Sequence, residues 1–451
     1  MPELKQETLY GWGHFPGARC LSYRPEKRRD LDALLSRHGE ALLARGLGRS
    51  YGDAALQPAG TVKTERLDHI ISFEAGEGVL QAQAGVTLAD VMALCIPCGW
   101  LPPVIPGTKH VSLGGAFACN VHGKNHWRFG DFAEHVLSIR LRLASGEIVE
   151  CTKQDNRDLF WATAGGMGMT GIIEEVTLKL RPVASASLKT TAYRVDSIAD
   201  MIAAFEHYRS NSDYMVGWVD HMADGGAGRG IFEAASHSAP EEGGAPLKKF
   251  LSPEIKFFLP CFLPSFTLNR VTMSLYNKWR FRRYSEERRE DIVGFEDFFH
   301  PLDAIGNWNR LYGRRGFFQY QCLLPDAPDI VEQVRTLLSA IHKRKCFSFL
   351  AVIKYHREGK GYLTFSKEGY SIALDFPNTR RARALLPQID RWVADRGGRV
   401  YLAKDALLSP DLFYRMYGQS AQDWMQVLRK ADPAGRFTSL MSDRLQWKQL
   451  P

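Results

Sequence analysis

Short runs of alternating apolar and polar residues recur between residues 31 and 182. At 78–84, 138–144 and 171–180 they predict strands, and at 87–95 helical spacing predicts a helix. Beyond residue 182 the texture changes. Amphipathic helices are predicted at 196–208 and 330–342, and strands at 317–324, 347–354 and 370–376. Residues 399–404 predict a further strand and 410–416 a helix, after which Arg429-Lys-Ala-Asp-Pro-Ala-Gly-Arg-Phe437 reads as a loop closing back on the first part. The stretch 238–289 has no clean period and reads as a mobile surface excursion. The fold class is α+β, with a second α+β domain following the first.

Glycine is concentrated in the first part, in clusters that a purely structural chain would rarely need so often. Arg45-Gly-Leu-Gly-Arg-Ser-Tyr-Gly-Asp53 follows the apolar 41–44. Pro106-Gly-Thr-Lys-His-Val-Ser-Leu-Gly-Gly115 runs on through Ala118-Cys-Asn-Val-His122-Gly-Lys-Asn-His126, and Gly165-Gly-Met-Gly-Met-Thr-Gly171 is the third. Close glycines after a strand let backbone N–H groups turn inward around a pyrophosphate, with arginine supplying charge. A tight turn with an incidental arginine explains any one cluster alone; three together favour a flavin or nucleotide cradle. The spacing is not that of the G-x-G-x-x-G dinucleotide fingerprint.

Length and charge narrow the classes. At 451 residues the chain exceeds the size at which one core stops growing, so two domains are expected and three are allowed. A net charge of +8 and a pI near 9.0 raise acidic partners, among them nucleic acid, anionic lipid and phosphorylated small molecules. No zinc-knuckle or RNP-like pattern accompanies the basic residues, so no nucleic acid is expected as a partner. The eight scattered cysteines, including the Cys95-x-x-Cys98 pair, read as structural thiols of a reducing compartment, and no metal site is expected. Neither a signal peptide nor an 18-residue apolar run is visible, which fits a cytoplasmic protein. Residues 257–266, followed by Lys278-Trp-Arg-Phe-Arg-Arg-Tyr284, pair apolar and aromatic anchors with cations, which suits either contact with an anionic membrane or a loop folded back on the protein.

Five motifs in order, R-G-L-G-R-S-Y-G-D, P-G-T-x-x-V-x-x-G-G-A, C-x-x-H-G-K-N-H, L-F-W-A-T-x-G-G-x-G-x-T-G-I-I and Y-x-A-K-D, together with the closing 432–445, resemble the decaprenylphosphoryl-β-D-ribose 2-oxidase family of the vanillyl-alcohol-oxidase (PCMH) superfamily. The resemblance covers nearly the whole chain. It implies an FAD domain of residues 1–182 and 399–451 around a substrate domain of 183–398, with an antiparallel sheet flanked by helices. FAD contacts are implied for Arg45, Gly46, Leu47, Gly48, Arg49, Ser50, Tyr51, Gly52, Asp53 and Ala54 in the first segment. Gly107, Ser112, Leu113, Gly114, Gly115, Cys119, Asn120, Val121 and His122 follow in the second, Gly168, Gly171 and Ile173 in the third, and Tyr401 and Lys404 near the end.

By the same resemblance Lys404 is the active-site lysine, serving as a base if desolvated or as a cation if not. His122 and Tyr51 face the substrate side, and Tyr312, Gln319, Gln321 and Lys354 form the sugar and phosphate pocket. Arg49 stands where many superfamily members carry a histidine that tethers the flavin, so FAD is expected to be non-covalent. Mycobacterial members read N-I-C-V-D-F-P where this chain has Ser371-Ile-Ala-Leu-Asp-Phe-Pro377, which puts Ala373 in place of the cysteine attacked by nitroaromatic inhibitors. The implied reaction is oxidation of the ribose 2-hydroxyl on a polyprenyl phosphate, with a separate NADH-dependent keto-reductase completing an epimerisation to arabinose. An oxidase of soluble alditols or aldonolactones is the alternative.

Overall fold

The computed structural model describes residues 4–36, 41–223, 228–250, 255, 257–264 and 266–447. Positions 251–254, 256 and 265 of the 238–289 segment, and 448–451 of the expected FAD-domain tail, lie outside the described residues. Helices and sheets are both abundant, and the strands form three principal sheets.

Two of these sheets are built from the first 182 residues. A four-stranded one runs Leu4–Tyr10, Gly17–Tyr23, Thr61–Lys63, Leu43–Arg45 in spatial order, antiparallel at its first pair and parallel at the other two. A five-stranded antiparallel one runs Ile70–Glu74, Val79–Gln83, Ile172–Lys179, Val136–Arg142, Ile148–Thr152. The helix Leu88–Cys95 starts at Thr87, whose hydroxyl caps Asp90 N–H while Asp90 returns a bond to the Thr87 N–H. The strand Val79–Gln83, with Leu80 and Ala82 inward, and the helix Leu88–Cys95, with Leu88, Val91, Met92 and Cys95 inward, arise where apolar residues repeat with the period of the backbone, and burying each Leu or Val contributes about 1.5–3 kcal/mol.

The third sheet has eight strands, antiparallel throughout: Arg289–Gly294, Ser187–Val195, Arg229–His237, Tyr214–Asp220, Ala351–His356, Gly369–Pro377, Phe317–Pro325 and Arg399–Val400. The helices Ile198–Tyr208, Ile330–Lys343 and Arg380–Asp395 bury Met201 and Phe205, Leu337 and Ile341, and Leu385 and Ile389 in the core beside it. The strand Phe317–Pro325 is buried on both sides. Phe318, Tyr320 and Cys322 join the helical core, while the alternate positions Gln319 and Gln321 take the opposite face.

Four expectations change. The strand expected over 347–354 begins only at Ala351. Ahead of it the Ser348 hydroxyl accepts from the N–H of Asp375 on the neighbouring strand (2.8 Å) and donates locally to Leu350 O (2.6 Å), side-chain bonds that compete with the ladder. The strand expected over 399–404 stops at Val400, and the 3-10 turn Leu402–Lys404 redirects the chain. The helix expected over 410–416 extends across Pro410–Ala431, with a break at Gly418 (φ 52°), the residue that had hidden its second half. The excursion 238–289 contains the helix Arg270–Arg282, capped by Asn269, whose apolar residues lie on both faces and so show no single-sided period.

Candidate active site

The glycine clusters, the segment 401–404 and the face of the eight-stranded sheet opposite those three helices meet around one cavity of about 580 Å³. That size falls within the range of small-molecule and cofactor sites, roughly 300–1,000 Å³. The strand Leu43–Arg45 delivers the first loop, of which Gly46, Leu47, Gly48, Arg49, Ser50, Tyr51 and Ala54 line the cavity. Gly48 has φ +65°, which favours glycine, and a Cβ on Gly46 would stand 2.3 Å from Ser112 Oγ, so the first and second loops touch through bare backbone.

The second segment contributes Gly107, Ser112, Gly114, Gly115, Cys119, Val121 and His122, and the third Gly168, Gly171 and Ile173. A Cβ on Gly107 would meet nothing within 4 Å. The Ser112 hydroxyl accepts from Gly115 N–H at 3.2 Å and opens the helix Leu113–Ala118. Tyr401 and Lys404 arrive from the far end of the chain: Tyr51 N–H donates to Ala403 O (2.9 Å), and a Cβ on Gly52 would stand 1.8 Å from Asp405 O.

Several implied contact residues stand behind this lining. Arg45 donates its guanidinium to Tyr10 O (2.6 Å) and Ala55 O (2.9 Å), so its charge fastens the loop from within instead of entering the cavity. Gly52 packs on Asp405, and Asp53 is gripped twice by Arg444, at 2.8 Å each. Leu113 belongs to the core of the five-stranded sheet, and Asn120 Oδ1 accepts from Ala133 N–H at 3.1 Å.

The sheet face supplies the remaining chemistry. Gln319, Lys354 and Ala373 line the cavity, with Val352 and Ala373 paired across neighbouring strands. Tyr312 and Gln321 lie one layer back. The Tyr312 ring stacks on Phe317 (4.0 Å), and its hydroxyl donates to Asp375 at 3.3 Å. Gln319 Nε2 donates to the other Asp375 oxygen at 2.8 Å. Gln321 Nε2 donates to His122 Nε2 at 2.9 Å and contacts Ser371 Oγ at 3.3 Å, while Ser371 Oγ lies 2.8 Å from His356 Nε2.

Accepting from Gln321 makes His122 Nε2 the unprotonated nitrogen, so Nδ1 carries the proton. Burial, then the charges of Lys354 and Lys404, hold the ring well below the usual histidine range, which keeps it neutral. Burial also pushes Tyr51 well above its ordinary range, so it stays a phenol. Among the described residues, His122 Nδ1 and Ser50 Oγ are buried without a partner, which leaves hydrogen-bonding capacity at two residues that line the cavity.

Three amines surround the same space. Burial lowers Lys404 to about 8 against the opposing pull of Asp375. Burial, followed by Lys404 and Lys124, lowers Lys354 to about 7. Lys124 falls to about 8 through burial, opposed by Glu233, and its ammonium lies 3.9 Å over the Phe298 ring. Asp375 is raised to about 6, chiefly by burial.

Lys124, Trp218, Glu233, Arg280 and Tyr284 also line the cavity and were not singled out as site residues from the sequence, nor was Asp375 behind them. Lys124 and Asp375 had stood inside the quoted motifs, where position alone gave no sign of their direction. Trp218 and Glu233 lie on the strands Tyr214–Asp220 and Arg229–His237, neither of which was expected from the sequence.

The residues fit a flavin dinucleotide: three segments of bare glycine backbone for the phosphates, unsatisfied polar atoms, and an apolar wall beside them. A family model described as an FAD binding domain matches residues 23–152. The chain is thus an FAD-dependent oxidoreductase acting on CH–OH groups. The decaprenylphosphoryl-β-D-ribose oxidase of Mycolicibacterium smegmatis is 34% identical over 417 residues, 90% of each chain, and this chain belongs to that family. An uncharacterised protein of Streptomyces coelicolor is 31% identical over 374 residues, 80% of this chain and 100% of its own. A putative D-arabinono-1,4-lactone oxidase of Neurospora crassa is 28% identical over 176 residues, 38% of this chain and 32% of its own.

Proposed function

We propose that the chain oxidises the 2-hydroxyl of a polyprenylphosphoryl-β-D-ribose to the 2-keto sugar. The observation that carries this reading is the grouping of Lys404, Lys354 and Lys124 around a cavity that also presents Gln319 and a glycine cradle. One amine for the proton and two more for an anionic phosphodiester suit a phosphorylated sugar better than a neutral polyol. The M. smegmatis relative carries decaprenylphosphoryl ribose in its name, and its 90% coverage supports the same substrate class here.

The FAD would rest on Gly46–Tyr51, Ser112–Gly115 and Gly168–Gly171, with no covalent link because Arg49 offers no nucleophile. Bound FAD supplies the acceptor for two electrons and the carbinol hydrogen. Lys404, near 8 and therefore partly neutral at physiological pH, accepts the hydroxyl proton. Neutral His122, fixed in one tautomer by Gln321, and the protonated Tyr51 donate hydrogen bonds to the sugar or ring and hold the carbinol in register. Lys124 and Lys354, the latter lowered to about 7 by burial and drawn back to its charged form by the anion beside it, neutralise the phosphodiester. Tyr312 acts through Asp375, which both steadies Gln319 and supports the charge on Lys404.

In this reading residues 1–182 and 399–451 form the FAD domain and 183–398 the substrate domain. A separate NADH-dependent reductase consumes the ketone to complete an epimerisation, and the enzyme works in the cytoplasm at the inner face of the plasma membrane. Anaerobic mixing with a synthetic polyprenylphosphoryl ribose tests the substrate: the flavin absorbance bleaches. Bleaching by free alditols or aldonolactones, with none by the phosphoryl ribose, replaces this reading with the alternative.

A further inference from the structure

Half of the fourteen large apolar side chains that stand exposed among the described residues fall between 255 and 279: Ile255, Phe257, Phe258, Phe266, Val271, Leu275 and Trp279. Three of them form a stripe. Val271, Leu275 and Trp279, at 65%, 62% and 54% exposure, follow one another at i, i+4 and i+8 along the outer side of the helix Arg270–Arg282. A solvated helix face carries polar residues at those positions.

The inner side of the same helix is already employed. Met273, Asn277 and Phe281 are buried, Asn277 donates to Asp220 at 2.8 Å, and Phe281 joins Trp218 and Ile231. Arg280 and Tyr284 line the cavity. The helix is therefore a wall of the site whose back is apolar and uncovered.

Charge selects what covers it. Residues 255–284 contain six Lys or Arg and no Asp or Glu. Arg282, one turn beyond Lys278, continues the exposed side, and the Arg283 guanidinium sits 4.9 Å over the Trp279 ring. A second copy of the chain, docking through a two-fold axis, would press these cations against themselves. An anionic bilayer surface satisfies both features at once, taking the aliphatic and indole groups at the acyl boundary and the cations among the headgroups. No helix among the described residues is long and apolar enough to cross a membrane, so the contact is one of lying on the surface.

We infer that the helix Arg270–Arg282, flanked by Phe257, Phe258 and Phe266, docks the enzyme on anionic bilayers with the outer stripe down, bringing the cavity wall to the membrane. This deepens the proposed function and rests on it for the purpose of docking: a polyprenyl chain resides in the bilayer that the helix meets.

The experiment uses the FAD-loaded full chain and vesicles of phosphatidylcholine with or without phosphatidylglycerol. The protein floats with the anionic vesicles, stays behind with the neutral ones, and is released by salt. The Leu275→Glu/Trp279→Glu variant keeps its flavin and loses about tenfold or more in vesicle affinity, as expected when buried apolar anchors are replaced by charge. Lys278→Glu/Arg282→Glu, which leaves the apolar stripe intact, gives a parallel loss. Failure of the wild type to float, equal flotation of the Leu275/Trp279 variant, or a dimer in solution that this variant dissociates would each overturn the inference. Bleaching by a short-chain, water-soluble phosphoryl ribose without vesicles reports on the substrate reading alone, so the two can fail separately.

Discussion

Replacing Lys404 by arginine keeps a cation beside the first glycine loop and removes the capacity to give up a proton, because a guanidinium stays charged at any pH a protein tolerates. The proposed role as base requires the neutral amine. With Lys404 at about 8, roughly 9% of it is neutral at pH 7 and about 90% at pH 9, a tenfold rise equivalent to about 1.4 kcal/mol of barrier. The sign follows from the lowered value: the competent form accumulates as pH rises through 8, so the rate climbs and then levels. The assay is anaerobic stopped-flow bleaching of the flavin by saturating substrate between pH 6 and 9.5. Lys404→Arg and Lys404→Met should both fall by about 10²–10⁴ and lose the titration. A wild-type rate that decreases across pH 8, or a Lys404→Arg variant within about threefold of wild type, would show that Lys404 serves as a fixed positive charge.

Three further outcomes are expected. Arg444→Met leaves the Asp53 and Asp405 carboxylates buried without their cation; it should cost about 3–5 kcal/mol in denaturant unfolding and loosen the flavin, and a loss below about 1 kcal/mol would contradict the clamp. Acid precipitation should leave the pellet colourless and the flavin in the supernatant, since Arg49 Nε instead donates to His110 O at 3.0 Å; a yellow pellet would contradict a non-covalent cofactor. Nitroaromatic compounds that attack a cysteine at this position should form no covalent adduct and add no mass to the protein, because Ala373 lines the cavity there.

Legibility in the sequence followed local geometry. Glycine clusters announced themselves because positive φ and close backbone approach leave a compositional mark, and the loops they form do surround one cavity. The amphipathic helices at 198–208 and 330–343 were legible through their single-sided period. The helix Arg270–Arg282 was not, since apolar residues on both faces cancel the period. Several strands of the large sheet, Tyr214–Asp220 among them, passed unnoticed although their faces carry Trp218 and the ladder to Val352. Arg45 illustrates a different limit. Its place in a glycine loop suggested a ligand contact, yet which way a guanidinium turns depends on carbonyls of Tyr10 and Ala55 that sequence spacing does not bring to mind.

The Arg444 grip on Asp53 spans 391 positions, and it closes the same loop that Gly52 packs on Asp405. During synthesis at about 5–20 residues per second, the first loop emerges roughly 20–80 s before its clasp exists. Cofactor capture is consequently a late event in the life of each molecule, completed after translation has passed the closing arginine, and a nascent chain halted anywhere in the large sheet leaves the ribosome with its dinucleotide berth open on one side.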